Sequence, residues 1–219
     1  MERSLRLTED GSHTLYVDKL DEPYHSTHGA LQESMHVFIK QGLHTISKPA
    51  LRILEIGFGT GLNALLTMWF ANQANLKVHY HAVEKYPLNR AEYSQLNFEQ
   101  CLDDIPDGFL NLMHDAEWET PVQLSDRFTL FKEESDFRSM NPPGNFDLVY
   151  FDAFSPDKQP ALWSADVFSI IRKSTRPGAI LVTYSSKGVV RRTLISCGFN
   201  IEKVPGPPGK WEMIRATRI

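Results

Sequence analysis

The run Glu55-Ile56-Gly57-Phe58-Gly59-Thr60-Gly61 sets three glycines at alternate positions, behind an apolar stretch and ahead of a helix-forming one. Such a loop lets a ligand lie against backbone N–H groups at the start of a helix. It is not the dinucleotide fingerprint, which needs Gly where Leu62 stands, and it lacks the Gly-Lys-Ser/Thr ending of an ATP-binding loop. Glu84 follows Gly61 by 23 positions and ends a β-rich run, where a carboxylate can accept from both hydroxyls of a ribose. A nucleoside ligand is the chemistry these two features share. Glu55, Asn63 and Lys85 flank them and complete the candidate set. Around the next strand end Glu133, Glu134, Ser135 and Asp136 could each meet an adenine amino group, and Glu134 is the position assigned. Asp152 ends the continuously apolar run FDLVYFDAF. Near the start, Tyr24, His25, His28, Gln32 and Glu33 offer a His-x-x-His plus Glu metal set. They read instead as a lid segment with Tyr24 and Gln32 beside the ligand, and no metal is expected.

The elements that must position these residues follow from periodicity. Leu31, Met35, Phe38 and Ile39 fall on one helical face after an irregular start, and Pro49 closes that segment. LRILEIGFGTG is a buried strand entering a tight loop, and an apolar stripe through Leu65, Leu66, Trp69 and Phe70 marks the following helix. KVHYHAVEKYP alternates as a strand, a helix is expected from about 88 to 101, and 102–125 reads as an insertion. RFTLFKEES, FDLVYFDAF and AILVTYSS are further strands, with helices at about 160–175 and in KGVVRRTLISCGF. The final residues form two β-rich runs about PGPPG, an antiparallel hairpin. This alternation predicts an α/β fold of the Rossmann-like kind: a mostly parallel seven-stranded sheet with a C-terminal antiparallel hairpin. One domain is expected, with 1–49 as a lid and 50–219 as core. Ligands of such sheets bind beyond the carboxyl ends of the strands, where the candidate residues stand.

Composition excludes several classes. The 219 residues are 42% hydrophobic and 23% charged, enough for one full core and far from a disordered polyelectrolyte. The start MERSLRLTED has no apolar leader, no apolar run reaches about 18 residues, and Cys101 and Cys197 lie in no metal or disulfide pattern. A soluble cytoplasmic protein is expected. The net charge of −4 conceals a gradient, because residues 1–157 carry 12 Lys and Arg against 24 Asp and Glu, while 158–219 carry 11 against 3. A basic C-terminal part on an acidic body suits one face meeting a polyanion.

The glycine loop, Glu84 and the hairpin together resemble the class I S-adenosylmethionine-dependent methyltransferases. A more specific likeness runs from Phe151 through Asp152-Ala153-Phe154-Ser155-Pro156-Asp157-Lys158-Gln159-Pro160-Ala161-Leu162-Trp163, which is similar to the DGFxPxKNPxxW motif of the MnmC methyltransferase family. It continues through Arg176-Pro177-Gly178, Val190-Arg191-Arg192, Gly198-Phe199 and Lys210-Trp211-Glu212-Met213. Upstream, Glu84-Lys85-Tyr86-Pro87-Leu88, Tyr24 and Gly29-Ala30-Leu31-Gln32-Glu33 also fit. Ala153 and Gln159 replace the motif's Gly and Asn, and Glu134 stands where the family carries Asp.

The resemblance implies S-adenosylmethionine as cofactor and N-methylation of the aminomethyl group on the wobble uridine of tRNA, giving 5-methylaminomethyl-2-thiouridine. Methyl transfer is an in-line displacement that needs an aligned amine with a free lone pair. Asp152 is the residue expected to hold that amine. Phe154 and Trp163 could stack on the base, and Lys158, Lys187, Arg191 and Arg192, with Lys203 and Lys210, could contact phosphates of the anticodon region. The family's FAD-dependent oxidase has no counterpart up to Ile219, so an oxidase or other upstream wobble-uridine enzyme would be a separate partner. Two rivals remain at this level: a methyl- or aminopropyl-transferase acting on a small amine, and a non-catalytic protein on a methyltransferase scaffold.

Overall fold

The computed structural model describes residues 2–102, 105 and 107–219. Residues 3–23 form a small antiparallel sheet of β1 (Arg3–Leu7), β2 (His13–Val17) and β3 (Glu22–Pro23). The start of the chain is thus more regular than its sequence suggested. Asp10 stabilises the first turn by accepting from Ser12 and Thr8, an Asx-type arrangement invisible to periodicity. Helix α1 (Ala30–Ser34) runs on as a π-helical stretch over Met35–Lys40, and Phe38 packs on Tyr150 with ring centroids 5.0 Å apart. The apolar face expected there joins the core.

The main sheet has eight strands in spatial order β10-β11-β9-β8-β4-β5-β7-β6. Strands β4 (Ala50–Ile56), β5 (Lys77–Glu84), β7 (Phe128–Glu134), β8 (Phe146–Phe151) and β9 (Thr175–Thr183) pair in parallel. β11 (Glu212–Arg218) enters antiparallel beside β9, and β10 (Phe199–Pro205) pairs antiparallel on its outer side. The eighth strand, β6 (Val122–Ser125), was missed in the count of seven. A two-residue turn at Asp126–Arg127 folds it antiparallel onto β7, so the tail of the supposed insertion is half of a hairpin.

Helix α2 (Leu62–Gln73) is buried along most of its length between the sheet and α1, which is why its sequence is apolar almost all round. The helix expected over 88–101 is reduced to α3 (Arg90–Tyr93), opened by a capping box between Asn89 and Glu92. It stops early because Asn97 is used elsewhere: its side chain accepts from the His13 amide and donates to the Gly11 carbonyl. The 102–125 region also holds α4 (Phe109–Asp115), whose Leu110 and Met113 are core residues. Helices α5 (Ala165–Ser174) and α6 (Gly188–Ser196) cover the other side, and α6 ends before Gly198 at φ +83°. Among the described residues no helix is long and apolar enough to cross a membrane.

The chain moves outward from β4 through β5 to β7, then returns to lay β8 on the opposite side of β4. The carboxyl ends of β4 and β8 therefore diverge at the topological switch point, where a crevice must open. The small N-terminal sheet is clasped over this end. Arg3 donates through Nη1 to both oxygens of Glu92 at 3.0 Å, through Nε to the Tyr24 hydroxyl at 2.9 Å, and through Nη2 to the Tyr86 carbonyl at 2.7 Å. Its side chain is only 4% exposed, so its loss strands several polar partners. Arg3→Ala should cost about 2–3 kcal/mol of stability. It should also raise amide hydrogen exchange selectively over residues 3–28, as read by mass spectrometry.

Candidate functional site

A cavity of about 520 Å³ opens at the switch point, within the size range of small-ligand sites. The glycine loop forms one wall because nothing else fits. Gly57 has φ +93°, and a Cβ there would lie 2.5 Å from the carbonyl oxygen of Asp152 on the neighbouring strand end. Gly59, at φ +51°, lies under the ring of Tyr24, which a Cβ would approach to 3.0 Å. Gly61 (φ +77°) caps α2 from behind the cavity, against Phe58, Leu110 and His114.

Glu84 stands at the far end of this wall. Its Oε2 accepts from the Gly59 amide at 3.0 Å and its Oε1 from the Tyr86 amide at 2.8 Å. Each oxygen thus has lone-pair capacity left for a ligand hydroxyl. Lys85 also reaches the cavity, but its ammonium is paired with Asp136 at 3.0 Å. Glu134 does not line the cavity; it is exposed, and the chain turns so that Ser135, Asp136, Phe137 and Arg138 do. Asp136 caps the 3₁₀ turn Phe137–Ser139 and is gripped by Arg138, which holds its carboxyl far below the usual range. Asp136, two residues beyond Glu134, is therefore the member of this acidic cluster that lines the cavity. The acidic cluster was legible, but the bend that selects one member was not.

The opposite wall carries the carboxyl chemistry. Asn63 donates through Nδ2 to Glu55 Oε1 at 2.9 Å and to Asp152 Oδ2 at 2.8 Å, so one amide bridges two acids. Glu55 is fully buried behind the loop, its Oε2 has no hydrogen-bond partner, and burial pushes its carboxyl well above the usual range. Asp152 lines the cavity and is pushed up to about 7, by burial first and by the nearby Glu33 carboxylate second; Asn63 and Lys210 oppose the rise. Burial thus raises both of the carboxyls that share this amide.

Residues expected in other roles, Lys210 as a phosphate contact among them, or in none, complete this wall. Glu33 accepts from the Ser26 amide at 2.8 Å and from Lys210 Nζ at 2.6 Å, and Lys210 lies 4.0 Å above the Tyr184 ring. Tyr184 in turn donates to the Ala153 carbonyl at 2.9 Å. Glu22 accepts from both the amide and hydroxyl of Ser155, tying the N-terminal sheet to the loop after Asp152. Tyr184 directly follows a strand, so the rule that found Glu84 would have found it. Glu22 carried no such signal.

The other predicted residues separate. Tyr24 and Phe154 line the cavity and meet edge to face at 5.0 Å. Gln32 is exposed and points elsewhere; its neighbour Glu33 takes the place at the site. Trp163 is not available for stacking, because it is buried against Phe151 and donates to the Phe154 carbonyl at 2.9 Å. It braces the loop that presents Phe154. His25 is held neutral by burial, near 4, and bonds Thr60, whereas His28 pairs with Glu9 on the surface, so the two histidines do not converge. Lys158 lines the rim, Lys187 pairs with Asp157, and Arg191 and Arg192 lie on α6 with no carboxylate partner among the described residues.

The raised Asp152 carboxyl has a sign that can be checked. Its folded-state value lies above the unfolded one, so the folded chain holds this proton more tightly, and stability is lost as pH rises from about 4 toward the value of about 7. Asp152→Asn, which removes the ionisation, should therefore raise the melting temperature relative to wild type at pH 8 but not at pH 4. Thermal scans across that range test it.

Comparison with known proteins agrees with this arrangement. A family described as S-adenosyl-L-methionine-dependent methyltransferase matches residues 126–219, the part holding Asp152 and the hairpin. The chain is 33% identical over 220 residues to the tRNA 5-methylaminomethyl-2-thiouridine biosynthesis bifunctional protein MnmC of Cupriavidus necator, covering 92% of this chain and 32% of that protein. It is 34% identical over 221 residues to the MnmC of Aeromonas salmonicida, covering 90% and 32%. The chain thus spans about a third of the length of these relatives. The crystal structure of MnmC2 from Aquifex aeolicus superposes with a TM-score of 0.80 at 26% identity, over 98% of this chain and 69% of that one. The cavity fits the cofactor of this family: Gly57 and Gly59 admit a ligand where a side chain could not stand, Glu84 has spare acceptor capacity for ribose, and Asn63 Oδ1 is a buried acceptor without a partner. Carboxylates from Glu84, Glu33 and Asp152 suit a sulfonium cation. Residues 126–219 match the S-adenosyl-L-methionine-dependent methyltransferase family, and the whole chain is similar in sequence to about a third of the MnmC proteins and in fold to MnmC2.

Proposed function

We propose that the protein N-methylates the aminomethyl group of a wobble uridine in tRNA, converting 5-aminomethyl-2-thiouridine to 5-methylaminomethyl-2-thiouridine. The observation that carries this reading is the shared cavity of Glu84 and Asp152, which sets a ribose-binding carboxylate and an amine-holding carboxylate on two strand ends of one crevice. S-adenosylmethionine bound there supplies an electrophilic methyl group and leaves as a neutral thioether. The residues of the chain do the rest. An alkylammonium has no lone pair, so the acceptor must shed a proton before it attacks. Asp152, with a value of about 7, is ionised in a large fraction of molecules near neutral pH and can take that proton. Its carboxylate also faces the positive charge that develops on nitrogen as the new bond forms. Asn63 fixes the carboxylate through Oδ2, leaving Oδ1 for the amine. The paired Lys210 and Glu33 set the local field, and Tyr24 and Phe154 wall the site against water.

Outside the cavity, Lys158, Lys187, Arg191 and Arg192 supply phosphate contacts around the anticodon in this reading, drawn from the C-terminal part with its excess of basic residues. A free aminomethyl acceptor must come from an earlier reaction, which we assign to a separate FAD-dependent oxidase or another upstream wobble-uridine enzyme. The likeness to proteins described as bifunctional, matched over about a third of their length, supports that assignment. A tRNA acceptor places the reaction in the cytoplasm.

Incubation of the protein with S-adenosylmethionine and tRNA bearing the aminomethyl nucleoside should yield the methylaminomethyl nucleoside by mass spectrometry, with kcat/KM rising through about pH 7. Asp152→Ala should lower kcat at least about a hundredfold while calorimetry still detects cofactor binding. Turnover of polyamines in place of tRNA would defeat the proposal. Phosphate contacts make a second expectation: tRNA affinity should fall at least about tenfold between about 50 and about 200 mM salt, and a flat response would remove the assigned contacts.

A further inference from the structure

One large aromatic ring has no contact that explains it. Trp211 is 95% exposed, in the turn that joins β10 to β11. The turn that carries it is held in shape. The Gly206 amide donates to the Trp211 carbonyl at 3.2 Å and the Lys210 amide to the Pro207 carbonyl at 2.9 Å. Pro207 and Pro208 restrict the backbone, and Gly209 at φ +82° is pressed so close to His28 that a Cβ would fall 2.4 Å from its ring. The indole is therefore presented by a preorganised turn and is not the end of a loose tail. Its neighbour Lys210 points inward, bonding Glu33 and covering Tyr184 in the cavity wall. Consecutive Cα atoms are about 3.8 Å apart, so the backbone that carries the ring adjoins a residue of the cavity wall, while the ring itself stands in solvent outside it.

Resting on the reading of tRNA as substrate, we propose that Trp211 is a stacking platform for an unpaired nucleotide adjacent to the one whose base enters the cavity. The surroundings select this occupant. Protein interfaces need a broad apolar patch, whereas Trp211 is flanked by Lys210, Glu212 and a Gly-Pro turn. A lone exposed ring on a basic segment is the composition of single-strand platforms, which use the π-face of any base and so impose little sequence preference. The strand of RNA that feeds a base into the crevice must leave it at the rim, and its next base is unstacked by that extrusion. Stacking on Trp211 restores what the extrusion costs and fixes the register of the reacting nucleotide.

The test compares tRNA with the isolated 5-aminomethyl-2-thiouridine nucleoside, which has no neighbouring base. Trp211→Ala should raise KM for tRNA about tenfold or more, while Trp211→Phe, which keeps a ring, should stay within about threefold of wild type. Both variants should leave kcat for tRNA, kcat/KM for the nucleoside and the affinity for S-adenosylmethionine unchanged. Binding of tRNA should also quench the long-wavelength indole emission of wild type and of Asp152→Ala, and the quench should vanish in Trp211→Ala. Equal losses on tRNA and nucleoside, or unaltered tRNA kinetics and quenching in Trp211→Ala, would overturn the proposal. A wild-type protein that binds tRNA without methylating it would defeat the reaction proposed above, and the quench and affinity comparison would then decide the stacking role by themselves.

Discussion

The rest of the site depends on a backbone contact. Gly57 at the end of one central strand lies so near the carbonyl of Asp152 at the end of its neighbour that no side chain can stand between them. Parallel pairing of Ile56 with Phe151 holds the two ends in register, and the Asp152 amide donates to the Ile56 carbonyl at 3.0 Å. The glycine loop and the Asp152 carboxyl are therefore set by the same hydrogen-bond ladder. A loop that moved independently would lose the sub-ångström alignment that displacement at carbon demands. The sheet is thus the positioning device, and the helices keep it buried on both faces.

Charge at this junction is arranged by depth. Glu55, behind the loop, is raised well above the usual carboxylate range by burial that its single hydrogen bond from Asn63 only partly offsets; Asp152, at the cavity wall, is raised to about 7; Glu84 is held by two backbone amides. Asn63 links the first two without contributing charge of its own. A buried cation lies behind the loop, where Lys132 donates to the His114 carbonyl at 2.6 Å and stands 4.4 Å from the Trp118 ring. Burial lowers its ammonium to about 8. This lysine braces α4 against the glycine loop, and nothing in its local sequence distinguishes it from a solvated residue.

The parts of the fold that could be read from the chain were those written as long periodic or apolar runs. The strands through Ile56, Glu84 and Phe151, the helix after Gly61 and the terminal hairpin all stand where alternation and turn residues placed them. What escaped was structure built by single side chains over long sequence separations. Asn97 truncates a helix by bonding a turn more than eighty residues upstream, and Arg3 organises the N-terminal sheet through partners equally distant. The same division holds at the site. Glu84 and Asp152 follow strands and line the cavity, whereas Asp136 and Glu33 line it in place of their neighbours Glu134 and Gln32 because local bends rotate the chain by one or two residues. Trp163 was misjudged for a related reason: aromatic residues near a motif look alike in sequence whether they face a ligand or the core.

The clasp made by Arg3 and the inward reach of Lys210 come from nearly opposite ends of the chain, yet both close around one crevice. During synthesis the glycine loop emerges early and can form its strand, turn and helix, but the floor and far wall are missing until residue 210 has left the ribosome. A partly made polypeptide would accordingly have an open crevice with one wall missing. Walls drawn from such distant stretches of sequence can close only after both have been made, so the crevice takes shape late, however early its glycine loop folds.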